Sequence, residues 1–161
     1  MRDDVFERLY SEHAHALLGY LVYRTGDRAL SEDLLADTFE RVLRARRPFD
    51  RRKASEKTWL YAIALNCVRD HARRQAAESR ALERAAPVPV GEGHSPLDAV
   101  EDRDVLNRAL ETLTDEEREA LALRYGADLT VPEVAKLTKE KLTTVEGRVY
   151  RALRKLRDEL A

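Results

Sequence analysis

Apolar side chains recur at helical spacing through the first half of the chain. The segments 4–26, 31–46 and 55–84 each carry them at i, i+3, i+4 and i+7, the pattern of one helix face. Gly26 and Pro48 stand where the first two helices would end. The third segment is apolar nearly all round in its first half, as expected of a central, buried helix. The pattern predicts a bundle of three helices.

The periodicity breaks down between the two halves. Residues 86–96 contain three prolines and two glycines, a density that cannot sustain a helix. The break predicts two small helical units, residues 1–80 and 101–161, joined by a flexible linker at 81–100.

The second unit carries three S/T-x-x-E patterns, each placed just before an apolar-periodic run. In such a capping box, the hydroxyl and the carboxylate satisfy amide groups at a helix start. The three pairs are Thr114 with Glu117, Thr130 with Glu133, and Thr143 with Glu146.

Four helices are predicted in this unit, over residues 98–112, 115–125, 131–138 and 144–160. The last two are joined by a tight connection, which is the outline of a helix-turn-helix. In that motif the second helix enters the major groove of DNA. The predicted fold class is therefore all-α, with two small helical domains.

The last predicted helix has two distinct sides. Branched aliphatics such as Val145 and Val149 form a stripe suited to a core. Beside it, Arg148, Arg151 and Lys155 follow helical spacing and make a basic stripe. Such a stripe is either a solvated surface or a nucleic-acid contact, and the stripe alone does not decide between them.

Charge along the chain favours contact with a polyanion. The net charge is −1, but residues 41–74 hold eleven bases against three acids, and residues 141–157 hold six against one. Acidic stretches separate the two blocks, with nine acids against four bases in residues 1–40 and nine against three in residues 98–119. Two basic blocks indicate two places of contact.

Several classes of protein are not indicated. Cys67, the single cysteine, lies in an apolar run and is expected to be buried, and His13 and His15 lack metal-ligand spacing. No nucleophile–base set or glycine-rich phosphate loop stands out, so we expect neither an enzyme nor a cofactor or metal. Without a signal sequence or a long apolar span, we expect a cytoplasmic protein that does not insert into membranes.

Three segments resemble one known family. They are SEDLLADTFERVLR at 31–44, TWLYAIALNCVRDHARR at 58–74 and TTVEGRVYRALRKLR at 143–157. In this order and spacing they resemble a bacterial extracytoplasmic-function (ECF) sigma factor of the sigma-70 family. The resemblance implies a region 2 domain in residues 1–80, a region 4 domain in residues 101–161, and promoter-specific transcription initiation.

The resemblance also implies sites and partners: core RNA polymerase, through its β′ clamp helices and β flap, promoter DNA, and often an anti-sigma factor. The residues matching the polymerase-binding helix are Asp33, Leu34, Asp37 and Glu40. Those matching the part that melts and reads the −10 element are Phe49, Asp50, Arg51, Arg52, Lys53, Asn66, Arg69 and Arg73. Those matching the helix that reads the −35 element are Thr143, Thr144, Arg148, Arg151 and Lys155.

Three residues depart from the family pattern, and one of them is Thr138, which stands where an aliphatic residue is usual. Lys139 stands where a glycine is usual, which predicts either a different turn or a lysine in the left-handed conformation. Gly147 stands for the usual serine near the start of the recognition helix, at a cost of about 1 kcal/mol relative to alanine. The alternative hypothesis is a stand-alone helix-turn-helix regulator, which would leave the charge pattern of residues 33–74 unexplained.

Overall fold

A computed structural model of the chain describes residues 3–45, 55–85 and 101–161, with the backbone alone described for 83–85, 101–104 and 107. Every regular element in these ranges is helical, which confirms the predicted class. The helices are α1 (Asp3–Thr25), α2 (Arg28–Arg44), α3 (Glu56–Ala85), α4 (Glu101–Glu111), α5 (Asp115–Leu121), a π-helix (Ala122–Gly126), α6 (Val131–Thr138) and α7 (Leu142–Leu160).

Helices α1, α2 and α3 pack together around large side chains that are almost completely buried. Leu17 and Tyr20 of α1, Val42 of α2, and Leu60 and Tyr61 of α3 all lie in this core. The Tyr20 and Tyr61 rings meet edge to face, with centroids 5.3 Å apart. Burial of the first half of α3 therefore follows from its continuous apolar surface, as its sequence predicts.

The corner between α1 and α2 shows why α2 begins earlier than periodicity indicates. Gly26 takes a left-handed φ of 71° and ends α1, as predicted. The Asp27 carboxylate then accepts a hydrogen bond of 3.1 Å from the Leu30 amide and caps α2. Ser31, predicted as the first residue of α2, instead lies within the helix and is buried. Its hydroxyl donates a hydrogen bond of 2.7 Å to the Asp27 carbonyl.

Two of the three capping boxes form. The hydroxyl oxygens of Thr114 and Thr130 each accept a hydrogen bond from the backbone amide three residues later. In return, the carboxylates of Glu117 and Glu133 accept a hydrogen bond from the backbone amide of the capping threonine. The third prediction was wrong: α7 begins at Leu142, and its N-cap residue, Lys141, makes no side-chain capping bond. Thr143 therefore lies in the first turn, where its side chain is exposed to solvent.

The turn before α7 uses a strained lysine. Lys139 adopts φ 58° and ψ 39°, the left-handed conformation, so one of the two predicted outcomes is confirmed. The following amide, of Glu140, donates 3.0 Å to the Ala135 carbonyl and closes α6 in the manner of a Schellman motif.

A π-helix, which periodicity does not predict, packs the second unit against the first. The single helix expected over 115–125 ends at Leu121 and continues with the wider π turn, in which the Ala127 amide donates to the Ala122 carbonyl at 2.8 Å. This turn lies against α1, so closely that a Cβ on Gly126 would stand 3.4 Å from the Tyr23 ring. The apolar cores of both units are consequently one continuous cluster.

Candidate nucleic-acid interface

The outer face of α2 carries the acidic side chains predicted to contact a partner. Asp33, Asp37 and Glu40 are exposed on the side away from the core, and Glu40 pairs with Arg44 at 2.7 Å. Leu34, predicted with them, is only 2% exposed and packs inside the chain. It supports the helix from beneath, because helical geometry turns it about 100° from its neighbour Asp33.

The polar edge of α3 is placed as predicted, but one of its arginines is occupied. Asn66 is exposed, whereas Arg69 donates two hydrogen bonds, of 3.2 and 2.9 Å, to the carboxylate of Glu119 in α5. These hydrogen bonds raise the pKa of Arg69 above its ordinary value. Glu119 is largely buried whereas the Arg69 side chain is 42% exposed, so the fork joins the two units at the edge of the solvent.

Arg73, the next residue on this edge, belongs to a small network. Asp70 accepts from Arg41 of α2 at 2.9 Å and from Arg73 at 2.5 Å. The pKa of the Asp70 carboxyl is lowered mainly by the hydrogen bond from Arg41 and further by the one from Arg73. Since the Arg73 side chain is three-quarters exposed, it remains available to an incoming phosphate.

The basic loop predicted to complete this surface lies outside the described residues. Its members are Phe49, Asp50, Arg51, Arg52 and Lys53.

In α7, two members of the predicted basic stripe are tied down within their own unit. Arg148 is half-buried and pairs with Glu140 in the preceding turn. Lys155 donates 2.6 Å to Glu117, a carboxylate that is 5% exposed and also serves the α5 capping box. Burial alone would raise the pKa of Glu117, but the bonds from Lys155 and Thr114 outweigh it and lower that pKa.

The solvent-exposed face of α7 lies at a different angle around the helix axis from the predicted basic stripe. Thr144 is half-buried, and the exposed side chains opposite the core are those of Thr143, Tyr150, Arg151 and Arg154. Tyr150 and Arg154 were missed, since the prediction followed basic spacing beside the core stripe. Both residues lie on the helix face opposite the apolar positions Val145 and Ala152, so choosing that face would have identified them from the sequence.

Gly147 allows an arginine to fold back over the helix. A Cβ at this position would stand 3.1 Å from Nη1 of Arg151. The guanidinium therefore lies across the bare backbone one turn before it, on the exposed face of α7.

One group of potential metal ligands exists among the described residues, formed by Glu12, His13 and Glu56. Spacing alone did not reveal it, because Glu56 comes from α3. Arg8 already donates to both oxygens of Glu56, at 3.0 and 2.9 Å, and to Glu12. The Arg8 guanidinium thus already occupies both carboxylates, and its bonds lower the pKa of Glu56.

Comparison with known protein families accounts for both units. Residues 9–78 match the family model for Sigma-70 region 2, and residues 103–156 match that for Sigma-70, region 4. The chain belongs to the sigma-70 family, as an ECF sigma factor. The region 2 match decides against a stand-alone helix-turn-helix regulator, and the family is not enzymatic.

Curated relatives of this sigma factor extend along nearly all of it. It is 30% identical over 158 residues to RNA polymerase sigma factor CarQ of Myxococcus xanthus, covering 98% of the chain and 90% of CarQ. It is 27% identical over 152 residues to ECF RNA polymerase sigma factor SigM of Bacillus subtilis, covering 94% and 92%. It is 30% identical over 157 residues to ECF RNA polymerase sigma factor BldN of Streptomyces coelicolor, covering 95% of the chain but 59% of BldN.

Solved structures share the fold. The sigma factor RpoE, crystallised with the anti-sigma factor NepR from Bartonella quintana, superposes with a TM-score of 0.78 at 21% identity, over 96% of each chain. CnrH, in complex with the cytosolic domain of CnrY, gives a TM-score of 0.70 at 25% identity, over 99% of this chain and 89% of CnrH. In the ranges described for this sigma factor, no helix is both long and apolar enough to span a membrane.

Proposed function

We propose that this ECF sigma factor, which directs transcription initiation by RNA polymerase, binds the β′ clamp helices of the core enzyme through the outer face of α2. The observation that supports this surface is the set of exposed acids Asp33, Asp37 and Glu40, presented on a helix whose opposite side is fixed in the core. Leu34 holds that helix in place from the buried side. The β flap is the proposed partner of the region 4 unit.

The −10 element is read, in this proposal, by the polar edge of α3 together with the basic loop at 49–53. Asn66 and Arg73 are exposed and lie on one side of the helix. Single-stranded promoter DNA needs a positively charged groove for its phosphates and a pocket for an unstacked base. Arg69 uses Nε and Nη2 to hold Glu119, which leaves Nη1 as the donor group that can reach a phosphate without opening this fork.

The −35 element is read by α7 in the major groove. Arg151 and Arg154 are basic residues of the exposed face of α7. Thr143 lies at the N-terminal end of the helix, where recognition helices contact base edges. Arg148 and Lys155 flank this face and add positive charge near the DNA backbone, although both hold carboxylates in the free protein.

An anti-sigma factor is the regulatory partner that we propose for this chain, and the cytoplasm its location. The support is fold-level: RpoE, which shares the fold, was crystallised with such a factor.

In vitro transcription tests the proposal. Sigma-free core polymerase is given fragmented genomic DNA with and without the protein, and transcript 5′ ends are mapped. We expect discrete starts that require the protein, that fade with Asp37→Arg because the partner surface reverses its charge, and that fade with Arg69→Ala because a phosphate contact is lost.

Matched controls separate these effects from loss of folding. Glu32→Arg reverses a charge on α2 beside the proposed surface, and Arg28→Ala removes an exposed arginine that belongs to neither proposed DNA surface. Both should leave the starts intact. If Asp37→Arg and Glu32→Arg behave alike, α2 is not the polymerase contact.

A further inference from the structure

A cleft of about 390 Å³ opens where the end of α1, the middle of α3 and the start of α5 meet. Arg24 lines it from α1, Arg118 from α5, and His71, Gln75 and Ser79 from α3. Its volume is within the range of roughly 300–1,000 Å³ usual for small-molecule sites. Its polar groups differ from those proposed above for polymerase and promoter.

Three buried nitrogens of residues that line this cleft lack hydrogen-bond partners. They are Nε of Arg24, Nε of Arg118 and Nε2 of His71, and each has almost no solvent contact. An arginine Nε–H can only donate, and a histidine Nε2 donates in one neutral tautomer and in the charged form. Buried donors are almost always satisfied in proteins, so three of them around one cleft require an acceptor.

The charge of the cleft specifies what kind of acceptor. Elsewhere in the described chain, Arg41 and Arg69 pair with carboxylates, whereas neither Arg24 nor Arg118 has such a partner there. Burial lowers the pKa of Arg118, the positive charge of Arg24 lowers it further, and Asp115 acts in the opposite sense. Asp115 also lines the cleft, so one carboxylate faces two guanidinium groups, and the positive charge that remains favours binding of an anion.

We propose that the cleft binds a phosphate group, either inorganic phosphate or the phosphate of a small monoester, between Arg24 and Arg118. A tetrahedral phosphate offers several acceptor oxygens and matches the planar fork of guanidinium donors. His71 lines the same cleft and offers a further donor when its Nε2 carries the proton. Because Arg24 belongs to the region 2 unit and Arg118 to the region 4 unit, the bound anion joins the two units in their compact arrangement. Binding itself does not depend on the surfaces assigned under the proposed function.

Calorimetric titration of the full chain with sodium phosphate, at ionic strength held constant with chloride, tests the site. We expect saturable binding of one phosphate with a Kd below about 1 mM. Arg24→Gln and Arg118→Gln should each weaken it roughly tenfold or more. The matched control is Arg28→Gln, an exposed arginine at the same corner that does not line the cleft, and it should bind like the parent. A parallel titration with adenosine monophosphate distinguishes a phosphate monoester, if it binds more tightly, from the free ion.

Nitrogen-15 spectra of the arginine Nε groups give a readout that does not depend on the variants folding. Phosphate should shift the Arg24 and Arg118 resonances in the parent protein and leave that of Arg28 in place. Absence of saturable binding by either ligand, equal binding by the parent and both cleft variants, or uniform shifts of all arginine resonances would overturn the proposal.

Discussion

The ion pair between Lys155 and Glu117 allows one stability prediction to be worked out from the structure. Lys155→Met keeps the length and apolar stem of the side chain but removes its charge. Glu117 would then be a carboxylate that is 5% exposed and has lost its 2.6 Å cationic partner. Its other oxygen, Oε2, is already buried without a hydrogen bond.

The expected loss is about 1.5–2 kcal/mol in the free energy of unfolding at neutral pH. A hydrogen bond to a charged group contributes roughly 1.5–3 kcal/mol. The lower part of this range applies because the Lys155 side chain is 42% exposed, so water screens the pair. Urea denaturation followed by circular dichroism measures the loss.

The loss should depend on pH in a defined direction. In the folded protein the pKa of Glu117 lies below its ordinary value of 4.5, so its contribution is present above that value and is lost as the pH falls through the folded-state pKa. Parent and variant should therefore differ at pH 7 and converge in acid.

A double-mutant cycle with Glu117→Gln isolates the pair. Lys155→Met should cost much less in the Glu117→Gln background, because no charge remains to be stranded. Lys136→Met, an exposed lysine of α6, is the matched control and should have little effect. A loss at Lys155 no larger than at Lys136, or equal losses in both backgrounds, would refute the reasoning.

Three further changes on the helix-turn-helix have expected outcomes. Lys139→Gly should raise the free energy of unfolding by about 0.5–1 kcal/mol, since glycine adopts φ 58° without the side-chain penalty, and an unchanged urea midpoint would contradict this. Gly147→Ala should stabilise α7 by about 1 kcal/mol while displacing the flexible end of Arg151, so a stability gain accompanied by altered DNA affinity is expected in denaturation and binding assays. Arg154→Ala should lower the salt slope of −35 DNA binding by about 0.9, and Lys155→Ala by less, because Lys155 already holds a carboxylate; equal slopes would mean that α7 is docked differently.

Local sequence determined most of the helical framework of this sigma factor. Gly26, Thr114 and Thr130 act on amides or backbone angles within three residues of themselves, so their effects can be read directly from neighbouring letters. Apolar periodicity likewise identified which helix would be central, because a helix without a polar face can only be buried. The failure at Thr143 has the same local cause: its pattern is correct, but α7 starts two residues too early for that hydroxyl to cap it.

Only the tertiary structure decided which charged side chains are available. Arg69 and Glu119 are 50 residues apart in sequence, and Lys155 and Glu117 are 38 apart, so no local pattern pairs them. The π-helix that lies against α1 also escapes a periodicity of 3.6, because its wider turn is stabilised by packing between the two units. Sequence thus specifies helices and the chemistry of their faces, whereas the burial of partners from distant segments decides which of those charges reach the surface.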